Sequence, residues 1–301
     1  MSRADPKRFR RPALHLATGM LAVVTALDMA PAALAMVAGP ASTETELAAR
    51  CTRESIVHAT APASWSQVSR VGQRIGVRVH VHVLRSKSGG GVSMHRIERQ
   101  VHVLNRAYAG RQNEHSARSR FRFELGRVDV TVNRAWQRLT SGSLNELRAK
   151  RSLHRGNADA LNLYIGDNAE RVLGWATTPA DYRNQPALDG VVIARRTLPG
   201  GAEGHYSAGD TAVHETGHWL GLLHTFAGAC SARGDLVADT PAHAAASISC
   251  GRRRNTCAAA GVDPVHNFMN YVFDACMNQF TSEQVARMFY AWQNYRATGG
   301  N

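Results

Sequence analysis

The sequence predicts an α+β fold, and three observations carry that expectation. Between residues 75 and 193, runs with period-two hydrophobicity are interspersed with runs of helical spacing. A further helix, with histidines four apart, is expected at 210–220. Beyond it the chain loses its periodicity, holds four of its five cysteines and closes on one more helical stretch, Thr281 to Tyr295. Strands and helices first, then one special helix and an irregular region, fit α+β better than a strict βα repeat.

The 301 residues allow one domain with extensions, and 44% hydrophobic content suffices for a core. Residues 1–35 lie outside that core. Arg3, Lys7, Arg8, Arg10 and Arg11 form a positive start, residues 12–27 are apolar, and Ala33-Leu34-Ala35 is a small-x-small cleavage signal. The apolar run is short and broken by His15 and Asp28, so a signal peptide is expected and not a membrane anchor. Residues 36–73, rich in Ala, Ser, Thr and Pro, read as pro-segment and linker. The domain proper is expected at 74–301, with an N-terminal part at 74–224 and a C-terminal part at 225–301. The mature chain is then extracytoplasmic, with no membrane partner. Net charge is +13, 33 of the 36 basic residues are Arg, and loss of residues 1–35, with five basic and two acidic groups, leaves +10. Such a surface attracts anionic polymers. Its arginines are scattered, apart from Arg252-Arg253-Arg254, and no nucleic-acid motif occurs, so no specific nucleic-acid partner is expected.

From Ile75 to Leu84 the alternation is strict, with Val77, Val79, Val81 and Val83 on one face of a strand. His80 and His82 share the other face and are expected to be exposed. Ser88 to Gly91 is a turn. Ser93 to Ala109 is a helix with Ile97, Val101, Leu104 and Tyr108 in one core stripe. Phe121–Leu125 and Val128–Val132 read as two strands, Ser143–Arg151 as a short helix, Ala160–Ile165 as a buried strand and Asp189–Ile193 as a further strand. Asp210 is expected to cap the histidine helix.

That helix reads His214-Glu215-Thr216-Gly217-His218-Trp219-Leu220-Gly221-Leu222-Leu223-His224. Histidines four apart project from one helical face, so His214 and His218 can hold one Zn²⁺. Glu215 adjoins the first ligand, and a carboxylate there can take a proton from water on the metal. Gly221 can adopt positive φ, so the helix can turn sharply and bring His224 back as third ligand. Three protein ligands leave one position open, the arrangement of catalytic sites and not of structural ones. Downstream, Cys230, Cys250, Cys257 and Cys276 contain no Cys-x-x-Cys pair. In an oxidising compartment they suggest two disulfides with three possible connectivities.

The motif has metzincin spacing, and a Met-turn, Asn267-Phe268-Met269-Asn270-Tyr271, follows it. With His-Glu-Thr-Gly-His-Trp-Leu-Gly-Leu-Leu-His-Thr-Phe, Asp239-Thr240-Pro241 and Cys276, the stretch from Val77 to Arg287 resembles the pappalysin family, near its ulilysin-like members. The resemblance implies a metzincin-type catalytic domain: a twisted mixed sheet, a zinc-binding helix and a loop-rich C-terminal subdomain stapled by disulfides. It implies the pairing Cys230–Cys257 and Cys250–Cys276, with Met269 beneath the metal and Tyr271 near the oxyanion. Leu173–Thr177 resembles the family's edge strand above the cleft, where Gly174, Trp175 and Ala176 would receive an extended substrate. Asp235, Asp239 and the Thr240 carbonyl are candidate ligands of a possible Ca²⁺. Asp274 matches the acidic floor of the pocket for the residue after the scissile bond. Cys51, the odd cysteine, follows Arg50 as in ulilysin-like precursors. Its thiolate can take the open zinc position and keep the enzyme latent.

The expected function is therefore a secreted zinc endopeptidase acting on proteins or peptides, with Glu215 as general base and Arg or Lys preferred after the scissile bond. The alternative is a catalytically weak zinc-fold module that binds polyanions through its basic surface.

Overall fold

The structure is a computed structural model that describes residues 72–169, 172–251 and 254–297, together with the backbone of Leu34–Val37. Six strands form one mixed sheet: β1 Leu34–Val37, β2 Ile75–Arg85, β3 Phe121–Val132, β4 Ala160–Gly166, β5 Val172–Ala176 and β6 Val191–Ala194, in the order β1-β5-β6-β4-β2-β3. Strands β3, β2, β4 and β6 run parallel, because chain crossovers join them. Strand β5 is antiparallel to β6, and β1 is antiparallel to β5.

Helices α1 (Met94–Tyr108) and α3 (Asp210–Trp219) share one core with the odd-numbered valines of β2, with Leu161, Leu163 and Ile165 of β4, and with Phe121 and Phe123. The α1 stripe is the expected one, with Gln100 and Ala107 added. A smaller core on the other face joins Leu84, Tyr164, Trp175 and Val192 to Leu139 and to Ala149 of α2 (Leu144–Leu153). Ser143 caps α2, accepting from the Glu146 amide.

This second layer corrects one expectation. His82 is buried, stacked on Tyr164 at 4.7 Å, with Nδ1 3.0 Å from Asp129 Oδ1 and Nε2 3.0 Å from Asn162 Oδ1. His80 is half-buried. Parallel strands covered on both faces leave no free polar side. The two strands read at 121–132 are one. Its alternation fails at Gly126-Arg127, a bulge of two residues against the single His80, with Val79 paired to Leu125 and Val81 to Val128. The strand expected from Asp189 starts at Val191.

The C-terminal part is loop-rich and carries the disulfides Cys230–Cys257 and Cys250–Cys276. Helix α4 spans Ser282–Ala291 and opens on a reciprocal capping box between Thr281 and Gln284. The expected continuation to Tyr295 winds instead as a π-turn, Trp292–Arg296. Among the described residues, no helix is long and apolar enough to cross a membrane.

Candidate active site

Helix α3 is buried along its whole length. Asp210 is its first residue; the cap is Gly209 in left-handed conformation, φ 103°, one position earlier than expected. The C-terminal end closes as a Schellman turn. Gly221 N donates to His218 O at 2.8 Å and Leu222 N to Gly217 O at 2.9 Å, with Gly221 at φ 95°. That reversal returns His224 to the helix face, and His218 Nε2 lies 3.1 Å from both His214 Nε2 and His224 Nε2.

The hydrogen bonds fix which nitrogens are bare. His214 Nδ1 donates to the Phe268 carbonyl at 2.7 Å, and His218 Nδ1 donates to the Leu222 carbonyl at 2.8 Å. A carbonyl only accepts, so in the neutral rings both Nε2 atoms present lone pairs. Burial pulls the His214 pKa down to about 4, and burial plus neighbouring imidazoles pull His218 and His224 well below their ordinary value. Neutral nitrogen lone pairs converging in a closed site fit a cation, and imidazole donors in threes fit zinc. Phe226 stacks on His224 with ring centroids 4.8 Å apart.

Glu215 is fully buried, and neither carboxylate oxygen has a hydrogen-bond partner among the described residues. Burial raises its pKa well above the usual carboxylate range. Two glycines shape this chamber, and sequence reasoning left their role unread. A Cβ on Gly174 would stand 2.9 Å from Glu215 Cγ, so β5 crosses above the acid only because that residue has no side chain. A Cβ on Gly217 would stand 2.4 Å from Met269 Sδ, so the Met-turn seats directly beneath the helix. No local sequence pattern marks either contact, because the partners lie 41 and 52 positions away.

Tyr271 is buried, its ring centroid 4.8 Å from that of His224 and 5.7 Å from that of His214. Trp175 points away from the cleft into the smaller core and donates from Nε1 to Glu146 Oε1 at 2.6 Å. The Trp175 side chain therefore belongs to the core, and the backbone of Gly174, Trp175 and Ala176 pairs with β6 on one side and β1 on the other. Leu34–Val37 lies along that edge, Leu34 opposite Ala176 and Met36 opposite Gly174.

Asp274 is buried at the start of α3, where Oδ2 accepts from Ala208 N at 2.7 Å and Gly209 N at 3.2 Å. Among the described residues its Oδ1 has no hydrogen-bond partner, and neither has Oδ1 of Asp210. Burial raises Asp274 to about 6 against the pull of those amides. Burial and the charge of Asp274 raise Asp210 well above the usual range.

The calcium candidates are turned to protein partners. Asp235 Oδ1 accepts from the Thr240 hydroxyl at 2.6 Å, while Asp239 accepts from the Thr281 hydroxyl at 2.6 Å and the Glu283 amide at 2.8 Å, at the start of α4. These bonds leave the calcium expectation without support. Cys51 lies outside the described residues.

Comparison with known proteins agrees with this geometry. The family model described as pregnancy-associated plasma protein-A matches residues 157–293. An extracellular metalloprotease of Sordaria macrospora is 42% identical over 230 residues, covering 74% of this chain and 76% of that protein. Extracellular metalloprotease 1 of Coccidioides posadasii is 38% identical over 229 residues, covering 74% and 79%. Among solved structures, mirolysin in complex with compound 9 matches with a TM-score of 0.64 at 26% identity, covering 74% of this chain and 93% of that one. Mature mirolysin of Tannerella forsythia in complex with a cleaved peptide matches with a TM-score of 0.60 at 26% identity, covering 76% and 100%. The chain belongs to the pappalysin family of metzincin metallopeptidases, and it is a metalloendopeptidase.

Proposed function

We propose that the chain is a secreted zinc endopeptidase in which His214, His218 and His224 hold the metal and Glu215 is the general base. The observation behind this is the meeting of three buried Nε2 atoms on one helix and its return turn, with an unpartnered carboxylate on that same helix. Zinc at this place would act as a Lewis acid on the scissile carbonyl and acidify the attacking water. Glu215, whose proton affinity burial raises, takes the proton from that water and passes it to the leaving amine. Tyr271 donates to the developing oxyanion. Met269 supports the histidine platform from below. An extended substrate adds to the edge of β5 at Gly174, Trp175 and Ala176, as Leu34–Val37 does, held by backbone hydrogen bonds.

Asp274 sets a preference for Arg, then Lys, after the scissile bond. Its Oδ1 is buried without a hydrogen-bond partner among the described residues, beside a second raised acid, Asp210, and a substrate guanidinium would supply the missing charge through charge-assisted hydrogen bonds. Secretion is supported by relatives named extracellular metalloproteases. Removal of residues 1–35 and latency through Cys51 and residues 36–73 complete the reading. A polyanion-binding module without catalysis is not favoured, since the acid that such a module could lose is in place.

The test is digestion of a peptide library by the mature chain, with and without a zinc chelator, read by mass spectrometry. Cuts ahead of Arg and Lys that vanish with chelation are expected. Cleavage indifferent to the chelator rejects the metal centre, and an Arg preference that survives Asp274→Ala rejects the pocket.

A further inference from the structure

The end of α3 is held from outside by two arginines. Arg287, on α4, donates from Nε to Gly221 O at 2.7 Å. Arg296, the last residue of the π-turn, is fully buried and donates from Nε to Trp219 O at 2.8 Å. The Trp219 oxygen belongs to the run of carbonyls that a helix leaves unpaired at its C-terminus, where cations are favoured, and the Gly221 oxygen lies in the turn just past it. The Arg296 guanidinium carbon also lies 3.7 Å from the Trp219 ring centroid, and its two terminal nitrogens pair with Asp189 at 2.9 and 3.1 Å. Asp189 accepts from Trp219 Nε1 at 2.9 Å and from the Thr177 hydroxyl at 2.8 Å. Thr177 directly follows β5, and Trp219 directly follows His218. One buried arginine thus joins the strand edge above the cleft to the helix end that carries the zinc-ligand candidates.

Stability alone is a weak reason for this cluster, because buried ion pairs can often be exchanged for apolar residues without loss. Direction is a better one. An apolar side chain fills the volume but does not fix the angle at which Trp219 and its carbonyl sit. Leu222 O, three residues on, orients the His218 ring, and His224 follows two residues later. We propose that Arg296 is a positioning residue of the metal site, setting the turn between His218 and His224 and its spacing from β5 through Asp189. This rests on the zinc-endopeptidase reading above.

The test uses the mature secreted protein with three changes: Arg296→Lys, the charge-neutral pair Arg296→Met with Asp189→Asn, and Asp129→Asn as a control. Asp129 pairs with His82 and Arg155 at the opposite edge of the sheet. Zinc affinity is read by competition with a chromophoric chelator, and ligand geometry by visible absorption after Co²⁺ substitution. Peptide turnover and thermal melting are measured alongside. The neutral pair should bind zinc about ten-fold more weakly, as for residues that orient metal ligands from outside. Its Co²⁺ bands should move, and kcat should fall about ten-fold with KM within about three-fold. Arg296→Lys should lie between, and the control should lose melting temperature only. If the neutral pair does not fold, Arg296→Lys decides alone. Wild-type zinc affinity, Co²⁺ bands and kcat in a folded Arg296 variant overturn the positioning role. Wild-type protein that takes up no zinc overturns the metal-centre reading, and the positioning role with it.

Discussion

At the scale of single residues, Glu215 and Asp235 are both acids whose pKa burial raises, with different consequences. Glu215 shares its helix with two of the three imidazoles and meets no hydrogen-bond donor among the described residues. Glu215→Gln keeps the shape and removes the proton acceptor, so peptide turnover should fall about 10²–10⁴-fold. Zinc content should be unchanged, since the ligand nitrogens are untouched. Turnover within a factor of a few of wild type, with zinc at full occupancy, moves the base elsewhere. Asp235 titrates in the folded protein at about 7, raised by burial against the Thr240 and Val237 hydrogen bonds. Unfolded, it titrates near 3.9. The folded state therefore keeps this proton while the unfolded chain loses it, and stability falls as pH rises from about 4 to about 7. The full span is on the order of 4 kcal/mol. Asp235→Asn should flatten that slope in denaturant melts between pH 4 and 8, and an equally steep variant assigns the slope to other groups. The left-handed Gly221 and the histidine spacing were legible from the sequence, as was the glutamate. The raised pKa of Asp235 was not, because nothing local announces that a turn aspartate will be buried.

At the scale of elements, α3 and the Met-turn are fitted to each other through one absent side chain. A methyl on Gly217 must displace Met269, which is fully buried. Gly217→Ala should cost about 1–3 kcal/mol, the range for an overpacked core. Met269→Ala in the same chain should recover part of that loss, because the two changes share one space. Strictly additive losses in a double-mutant cycle read by denaturant unfolding would show that the contact is not the cause. Helix α1 was readable in advance by its stripe and α2 and α4 by their ranges, while the caps that start those two, Ser143 and the Thr281–Gln284 box, emerged only from the structure. Strand β3 was not, because Gly126-Arg127 breaks its alternation and only pairing with β2 continues it. His82 was misjudged for a related reason. Its partners Asp129 and Asn162 lie 47 and 80 positions away, so its burial belongs to the sheet and not to the strand.

At the scale of the whole molecule, the proposed metal site is where separate parts of the chain converge. Helix α3 supplies two histidines, the return turn a third, the Phe268 carbonyl of the Met-turn orients His214, and α4 with its π-turn closes the helix end. Metal bound only by this assembly stabilises all of it. At zinc a hundred-fold above Kd the gain is about 2.7 kcal/mol, so chelation should lower the melting temperature of the mature protein by roughly 5–10 °C. Calorimetry with and without chelator measures it, and an unmoved transition would mean that the site binds nothing. The disulfides close loops with sequence separations of 27 and 26 in the part with the fewest strands and helices, where loop closure stabilises by about 3–4 kcal/mol each. Their pairing came from family resemblance, since spacing alone left three choices.

The edge of β5 has a consequence for what kind of protein the enzyme can cut. Trp175 turns inward and Gly174 has no side chain, so with Leu34–Val37 displaced by substrate, as proposed, this stretch would present a row of main-chain donors and acceptors and little else. A chain can answer that row only if its own amides and carbonyls are uncommitted over about four residues, as in the pairing with Leu34–Val37. Segments wound in helices or held in sheets cannot. Native globular proteins should therefore be nicked at exposed loops and tails and otherwise left whole, while the same proteins, once denatured, should be reduced to short peptides.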